Sequence, residues 1–434
     1  MPHRLDSSQS NFEKLFSQLL EKRREAGKDV TDIVSSILST VRKEGNTAVI
    51  NYTKQFDHVQ LDEDSMRVTK EEILSARNHC SEDVLASLKK AHKRIGDFHS
   101  RQFPKDINYT DYAGVRLGSR WLPIAAVGLY VPGGTAAYPS SVLMNAVPAQ
   151  VAGVKRIVMV VPAPEGKLNP LVLAAADLAG VDEIYRIGGA QAIGALTYGT
   201  ETIIPVDKIV GPGNAYVASA KRQVFGIVGI DMIAGPSEIL VVADNDNNPK
   251  WIAADLLSQS EHDKSAQSIL ITDNESFAND VDTEIKNILL NLPRADIARE
   301  SWNKFGAIIL VPNINSSISL IDRIAPEHLE LTCNNADMLV KEVSNAGAIF
   351  IGAFSPEAIG DYVAGPNHVL PTSGTSRFSS GLSVLDFMKR SSLISCSEAG
   401  FAEIGPDAVT LAKAEGLQAH ALSISLRLND DLLD

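Results

Sequence analysis

Cysteine is scarce: Cys80, Cys333 and Cys396 are the three in 434 residues, and no two form a Cys-x-x-Cys pair. A disulfide framework and a thiolate metal site are therefore both unsupported. No apolar run approaches the ~18 residues that would span a bilayer. The opening MPHRLDSSQSNFEKLF also has no apolar core of a secretory signal. These absences predict a soluble protein of a reducing cytoplasm. Positive charge is in deficit as well, the formal net charge being −13. This argues against a nucleic-acid or anionic-membrane partner, while local backbone dipoles still suit a small anionic cofactor. At this length two main domains with appendages are expected.

What the chain does have is alternation. From about residue 123 the apolar segments IAAVGLYV, RIVMVV, EIYRI, EILVVAD, QSILITD, GAIILVP and GAIFIG follow one another. Helix-length stretches such as LNPLVLAAADLAG and AYVASAKRQV separate them. Near-continuous apolar strands between helices predict parallel sheets covered on both faces. Two sets of such units, before and after residue 237, predict an α/β protein with two such domains, without an internal sequence repeat. The N-terminal part reads as helices, with stripes at Phe12, Leu15, Phe16, Leu19 and Leu20 and at Val30, Ile33, Val34, Ile37, Leu38 and Val41. The charged break EKRREAGKD after the first stripe suggests an arm. After about residue 383 the pattern reads as helices broken at Gly416, too small to bury a core alone and expected to pack on another domain or subunit.

Three predicted strand ends carry glycines: GLYVPGG (128–134), IGGAQAIG (187–194) and VGPGNAYV (210–217). Glycine lets backbone approach a ligand, and a following helix N-terminus offers N–H groups to phosphate. None is a G-x-G-x-x-G, and the acidic residue that grips a ribose is not evident. Each alone reads equally as a tight turn. Three together point to a nucleotide bound in an atypical way.

Of nine histidines, His3, His58, His79, His92 and His99 stand in charged, helical surroundings and read as solvated. The other four sit in polar motifs: SQSEH (His262), APEHLEL (His328), GDYVAGPNHVLPT (His368) and AEGLQAHA (His420). Gln259 and His262, three residues apart, share one helix face. A solvated last turn would explain that pair equally, as a capping Glu and a core His would explain PEHLEL. Together the four motifs suggest one site assembled from distant loops.

These motifs, with AGPSE (234–238), GLYVPGG and VGPGNAYV, closely resemble the histidinol dehydrogenases. The resemblance runs over nearly the whole chain, from VRKEGNTAVINYTKQFD to AEGLQAHA. It implies two incomplete Rossmann-like domains with parallel sheets, an N-terminal helical arm and a C-terminal helical dimerisation tail. The boundaries expected are 1–24 for the arm, 25–129 with 238–382 for the first domain, 130–237 for the second, and 383–434 for the tail, swapped in a homodimer. It implies one zinc per subunit held by Gln259, His262, Asp361 and His420, with NAD placed against Tyr130, Gln191 and Asn214. Substrate contacts would come from Ser237, Gln259, His262, His328, Asp361, Glu415 and His420. The reaction implied is the four-electron oxidation of L-histidinol to L-histidine through the aldehyde, the last step of histidine biosynthesis. Glu327 and His328 are its catalytic residues, His328 accepting the hydroxyl proton and Glu327 activating water. Asn367 and His368 are expected to support the pocket. Asn46 and Ser260 depart from common family residues at positions with no such role. The rival readings are a related dehydrogenase of another alcohol such as sulfopropanediol, a zinc hydrolase, and a zinc-stabilised assembly without catalysis.

Overall fold

A computed structural model describes residues 1–25, 30–133 and 138–428. The AGKD break at 26–29, Gly134 of the first glycine loop and the chain end after 428 lie outside the described residues. The chain divides into two compact units, Met1–Gln102 with Ala125–Phe387, and Phe103–Ile124 with Met388–Asp434.

The first stretch runs β1 (His3–Asp6), α1 (Phe12–Glu25), α2 (Thr31–Asp57), α3 (Lys70–Asn78), α4 (Glu82–His99), β2 (Ile107–Thr110) and β3 (Arg116–Pro123). Next come β4 (Ala126–Tyr130), α5 (Pro139–Ala152), β5 (Arg156–Val160), α6 (Pro170–Leu178), β6 (Glu183–Tyr185), α7 (Gly189–Tyr198), β7 (Lys208–Val210), α8 (Ala215–Val224) and β8 (Gly229–Ile230). The third set is β9 (Glu238–Ala243), α9 (Pro249–Ser260), β10 (Gln267–Thr272), α10 (Glu275–Ile288), α11 (Ala295–Phe305) and β11 (Ala307–Leu310). The last set is α12 (Ile318–Ile324), β12 (His328–Thr332), α13 (Ala336–Leu339), β13 (Ala348–Ile351), α14 (Glu357–Tyr362), β14 (Met388–Ser395), α15 (Glu398–Ala414) and α16 (Gln418–Ser425).

The first unit holds two parallel sheets, ordered β1-β11-β10-β9-β12-β13 and β6-β5-β4-β7-β8. Apart from the edge strand β1, each sheet places its third, second, first, fourth and fifth strands side by side. That is the Rossmann-like order, in which the topology switches between the first and fourth strands. The expected α/β class with two incomplete Rossmann-like sheets is what the chain forms. Helices cover both faces, so central strands such as EILVVA in β9 and QSILIT in β10 are buried at every residue.

Two segments pack differently from the boundaries expected. Residues 1–24 are no free arm. Leu5 in β1 and Phe12, Phe16 and Leu19 in α1 are buried in the core of the first sheet, because β1 pairs with β11. The helix α2, expected with the first sheet, packs instead on α7 of the second. Val34, Ile37, Leu38 and Val41 share a core there with Ala192, Ile193 and Leu196. Gly194 permits this approach, since a Cβ on it would lie 3.2 Å from Val41.

The second unit is an antiparallel sheet ordered β14-β3-β2, with α15 and α16 following. The helices and their break at Gly416, where φ is +76°, match the sequence reading. The strand β14 does not. MKRSSLIS is exposed along nearly its whole length, so it shows no apolar alternation, and its eight-residue pairing with β3 defines it instead. Among the described residues no helix is long and apolar enough to cross a membrane.

Phe16 is fully buried, stacks on Phe12 at 5.4 Å between ring centroids, and has the Arg323 guanidinium 4.6 Å above its ring. Phe16→Ala is expected to destabilise the fold by about 3–5 kcal/mol in denaturant titration, as truncation of a packed aromatic does. A loss below about 1 kcal/mol would mean that α1 is dispensable to this core.

Candidate active site

One peptide segment organises the site. Glu238 opens β9, and its neighbour strand β12 opens with His328, which pairs in register with Ile239. The Glu238 N–H donates to Glu327 Oε2 at 2.9 Å, and the His328 Nδ1–H donates to the Glu238 carbonyl, also at 2.9 Å. The Glu238 side chain accepts the Ser373 N–H at 2.8 Å, so the PTSGT loop is tied to the same point. Because a carbonyl can only accept, Nδ1 carries the hydrogen and Nε2 keeps its lone pair. Nε2 is buried with no hydrogen-bond partner. Burial pushes the His328 pKa down to about 4, so the ring is a neutral base at neutral pH and its approaches to Glu327 and Glu357 are no ion pairs.

Against this base stands a group of carboxyls. Glu357 and Asp361, one turn apart on α14, lie with His328 so that one ligand atom of each is within 4.8 Å of the others. Glu357 Oε1 is 3.7 Å from His328 Nε2. Burial, then the charge of Asp361, raises the Glu357 pKa to about 9. Behind it, Glu330 on β12 accepts the Glu357 N–H at 2.5 Å and hydrogen-bonds Asp255 of α9. Burial holds Glu330 well above the carboxylate range and Asp255 at about 6. Ser258, also on α9, donates to Glu357 Oε2 at 3.1 Å. Its neighbour Gln259 is fully buried, and neither its amide oxygen nor its nitrogen has a partner.

Orphaned buried polar atoms are costly and rare. Here Gln259 Oε1, His328 Nε2 and Glu357 Oε1 are all orphaned, beside Glu357 and Glu330 carboxyls whose pKa values burial raises. A divalent cation satisfies such a set, since it takes lone pairs from oxygen and imidazole nitrogen and restores the carboxylate form. The residues present fit a metal ion.

The other expected residues are placed as follows. His262 is exposed in the turn after α9, and its charge is felt by both His328 and His368. Ser237 is half-buried immediately before β9. Glu415 and His420 belong to the second unit, where both are exposed. His368 is half-buried beside Asp361, with its pKa lowered by burial. Asn367 Nδ2 donates to the Met144 carbonyl at 2.6 Å and approaches His99 Nε2 at 3.5 Å, so it braces α5 and α4. His99 itself, expected to be solvated, is fully buried. It continues the stripe Leu88, Ala91, Ile95 of α4 and bonds Gln102 at 2.7 Å.

Sequence reasoning missed Glu357, Glu330 and Asp255. Two signals were present. Glu357 precedes Asp361 by four residues, a shared helix face. Glu330 follows His328 by two, a shared strand face.

The glycine loops stand at the carboxyl ends of β4, β6 and β7, those of β4 and β7 flanking the switch point of the second sheet. Tyr130 is buried, accepts the Gly189 N–H at 3.1 Å, and has its pKa pushed up to about 12 by burial. Gln191 is 1% exposed with Oε1 unpartnered. Asn214 Oδ1 caps α8, accepting from Tyr216 at 3.0 Å and Val217 at 3.2 Å. A Cβ on Gly188 would meet Pro162, and one on Gly211 (φ +110°) would collide with the Tyr130 carbonyl. Bare backbone and two helix N-termini at one switch point fit a dinucleotide. At the carboxyl ends of β9 and β12 in the first sheet, Thr332 Oγ1 donates to Asn247 Oδ1 at 2.6 Å and the Asn334 N–H donates to Asp244 Oδ2 at 2.8 Å. The sheet's polar cluster lies at the opposite, amino ends of β9 and β12. Residues 231–237 join the end of β8 to the start of β9, so the two edges are less than ~30 Å apart.

A sequence model of the histidinol dehydrogenase family matches residues 20–428. The histidinol dehydrogenase of Rhodospirillum rubrum is 59% identical over 430 residues, which cover 99% of each chain. That of Brucella abortus (strain 2308) is 58% identical over 425 residues, 98% of this chain and 99% of the relative. The crystal structure of histidinol dehydrogenase from Elizabethkingia anophelis superposes with a TM-score of 0.93 at 38% identity, covering 98% of both chains. With the geometry and the full-length match in agreement, the chain belongs to the histidinol dehydrogenase family, a family of oxidoreductases.

Proposed function

We propose that this chain oxidises L-histidinol to L-histidine in two successive steps, with zinc and NAD, in the cytoplasm. The observation that carries the reading is the buried Gln259 amide with neither atom partnered, beside the His328, Glu357 and Asp361 cluster. Gln259, His262 and Asp361 would hold the metal, with Glu357 at the same cluster, and His420 of a second copy would complete the set. A bound zinc supplies a Lewis-acidic anchor for the imidazole and amino nitrogens of the substrate.

The chain's own residues do the rest. His328 Nε2, unprotonated because Nδ1–H is committed to the Glu238 carbonyl, takes the hydroxyl proton of the alcohol. Glu327, held by the Glu238 N–H, orients and deprotonates the water that attacks the aldehyde. Ser237 and Glu415 bind the substrate's polar groups. A bound NAD would supply the hydride acceptor for both oxidations. Tyr130, Gln191 and Asn214 would face it from the second sheet. No cysteine belongs to the site, so the aldehyde is carried forward as its hydrate. The exposed apolar residues of the second unit, Ile394, Leu411, Leu417 and Leu426 among them, support a homodimer in which this unit serves the partner's site.

Three results are expected. NADH formation with L-histidinol should give about two NADH per substrate consumed, falling on chelation and returning with zinc. About one NADH per histidinol would show that the aldehyde escapes. Glu327→Gln should lower kcat by ~10²–10⁴-fold with little change in KM for histidinol. A rise in KM alone would remove Glu327 from the chemistry. Glu357→Gln should weaken zinc affinity by ~10–100-fold in a competition titration with a chromophoric chelator. Unchanged affinity would limit Glu357 to holding Asp361.

A further inference from the structure

A dinucleotide-binding sheet usually carries an acid at the end of the strand beside the first; here the one acid after that strand, Glu165, is exposed and pairs with Lys167 at 3.1 Å. In the second sheet that strand is β5, and it runs into VPAPEG. The structure brings an acid to this place from elsewhere. Asp57 is the last residue of α2, and His58 turns the chain there at φ +55°. Two residues on, Val59 lies against the loop after β5, 3.4 Å from where a Cβ on Gly166 would be.

A carboxylate at a helix C-terminus faces the negative end of the helix dipole. Asp57 Oδ2 is sealed from solvent without a hydrogen-bond partner. Burial raises its pKa, and its charge reaches the Tyr130 hydroxyl at the end of β4. The carboxyl is thus partly desolvated, has one oxygen unsatisfied and is opposed by the dipole, within electrostatic reach of Tyr130 at the end of β4. A group that costs stability in three ways beside a glycine loop is expected to be retained for a ligand.

We infer that Asp57 is the ribose-binding acid of this chain: its carboxylate accepts hydrogen bonds from the 2′- and 3′-hydroxyls of the adenine ribose and, by its charge, rejects a 2′-phosphate. This rests on the reading that NAD binds at the second sheet. The acid arrives from a helix outside the strand-and-turn unit, which is why the usual sequence spacing does not reveal it. The role assigned is binding and cofactor choice, with no part in the chemistry at His328.

The test measures dissociation constants of NAD and NADP by calorimetry on the full-length, zinc-loaded chain, with thermal midpoints alongside, for the unaltered protein, Asp57→Asn and Asp57→Ala. Asp57→Asn is expected to bind NAD about tenfold or more weaker, as loss of charge-assisted hydrogen bonds implies. It should also narrow the preference for NAD over NADP by a similar factor, with an unchanged or higher Tm. Unchanged NAD affinity and unchanged rejection of NADP in Asp57→Asn would overturn the assignment while leaving the cofactor reading intact. A lower Tm with unaltered affinity would overturn it too, placing Asp57 in the fold. Absence of NAD binding by the unaltered protein would instead overturn the cofactor reading and the assignment with it. The near-isosteric Asn variant decides the matter even where Ala prevents folding.

Discussion

The arrangement depends on how β12 lies beside β9. The peptide groups of Glu238 grip two side chains at once, the N–H holding Glu327 and the carbonyl holding His328. Both bonds exist only in one register, that in which His328 pairs with Ile239. A slip by one residue would turn His328 to the other face of the sheet and send Glu327 elsewhere. The register in turn is fixed by the apolar strands, Ile239 to Ala243 against Leu329 and Leu331, all buried. Ordinary packing of a parallel sheet thus sets the tautomer of one imidazole and the aim of one carboxylate.

From that point the rest of the site is an accumulation of unmet demand. The His328 lone pair, the Gln259 amide and the Glu357 oxygen are buried without partners, and Glu330 and Asp255 share a proton behind them. Such a cluster weakens a fold that has nothing to bind. The nearby network at the carboxyl ends of β9 and β12 shows the contrast, because Asn247, Thr332, Asp244 and Asn334 satisfy one another. The polar cluster of the first sheet thus stands at the amino ends of its strands, opposite the end a Rossmann-like sheet normally uses. The second sheet keeps the usual end, with its glycine loops, and the short 231–237 connection brings the two edges within reach of each other.

Most of the architecture was legible because buried parallel strands spell themselves as apolar runs. The partition of helices was not. The face of α2 fits either sheet by its periodicity, and only the missing Cβ of Gly194 shows that it belongs on α7. The strand β14 escaped notice because an exposed strand carries no alternation. In the site, Gln259, Glu327, His328 and Asp361 stood out through motifs of the family. Glu357 and Glu330 hid in plain helix and strand positions, their chemistry arising from burial, which the sequence does not print. His99 and Asn367 read as surface or pocket residues, yet they brace α4 and α5 through a buried contact between residues far apart in the chain.

The Glu238 carbonyl fixes His328 as the Nδ1–H tautomer, a neutral base with Nε2 free. Long-range ¹⁵N–¹H NMR on the chelated protein, with His328 assigned by comparison with His328→Asn, reads this directly. One protonated-type shift at Nδ1 and one bare-nitrogen shift at Nε2 are expected near neutral pH. No protonation is expected until the pH falls well below the ordinary 6.5 towards about 4. An Nε2–H tautomer, or an imidazolium already present near pH 6.5, would contradict this.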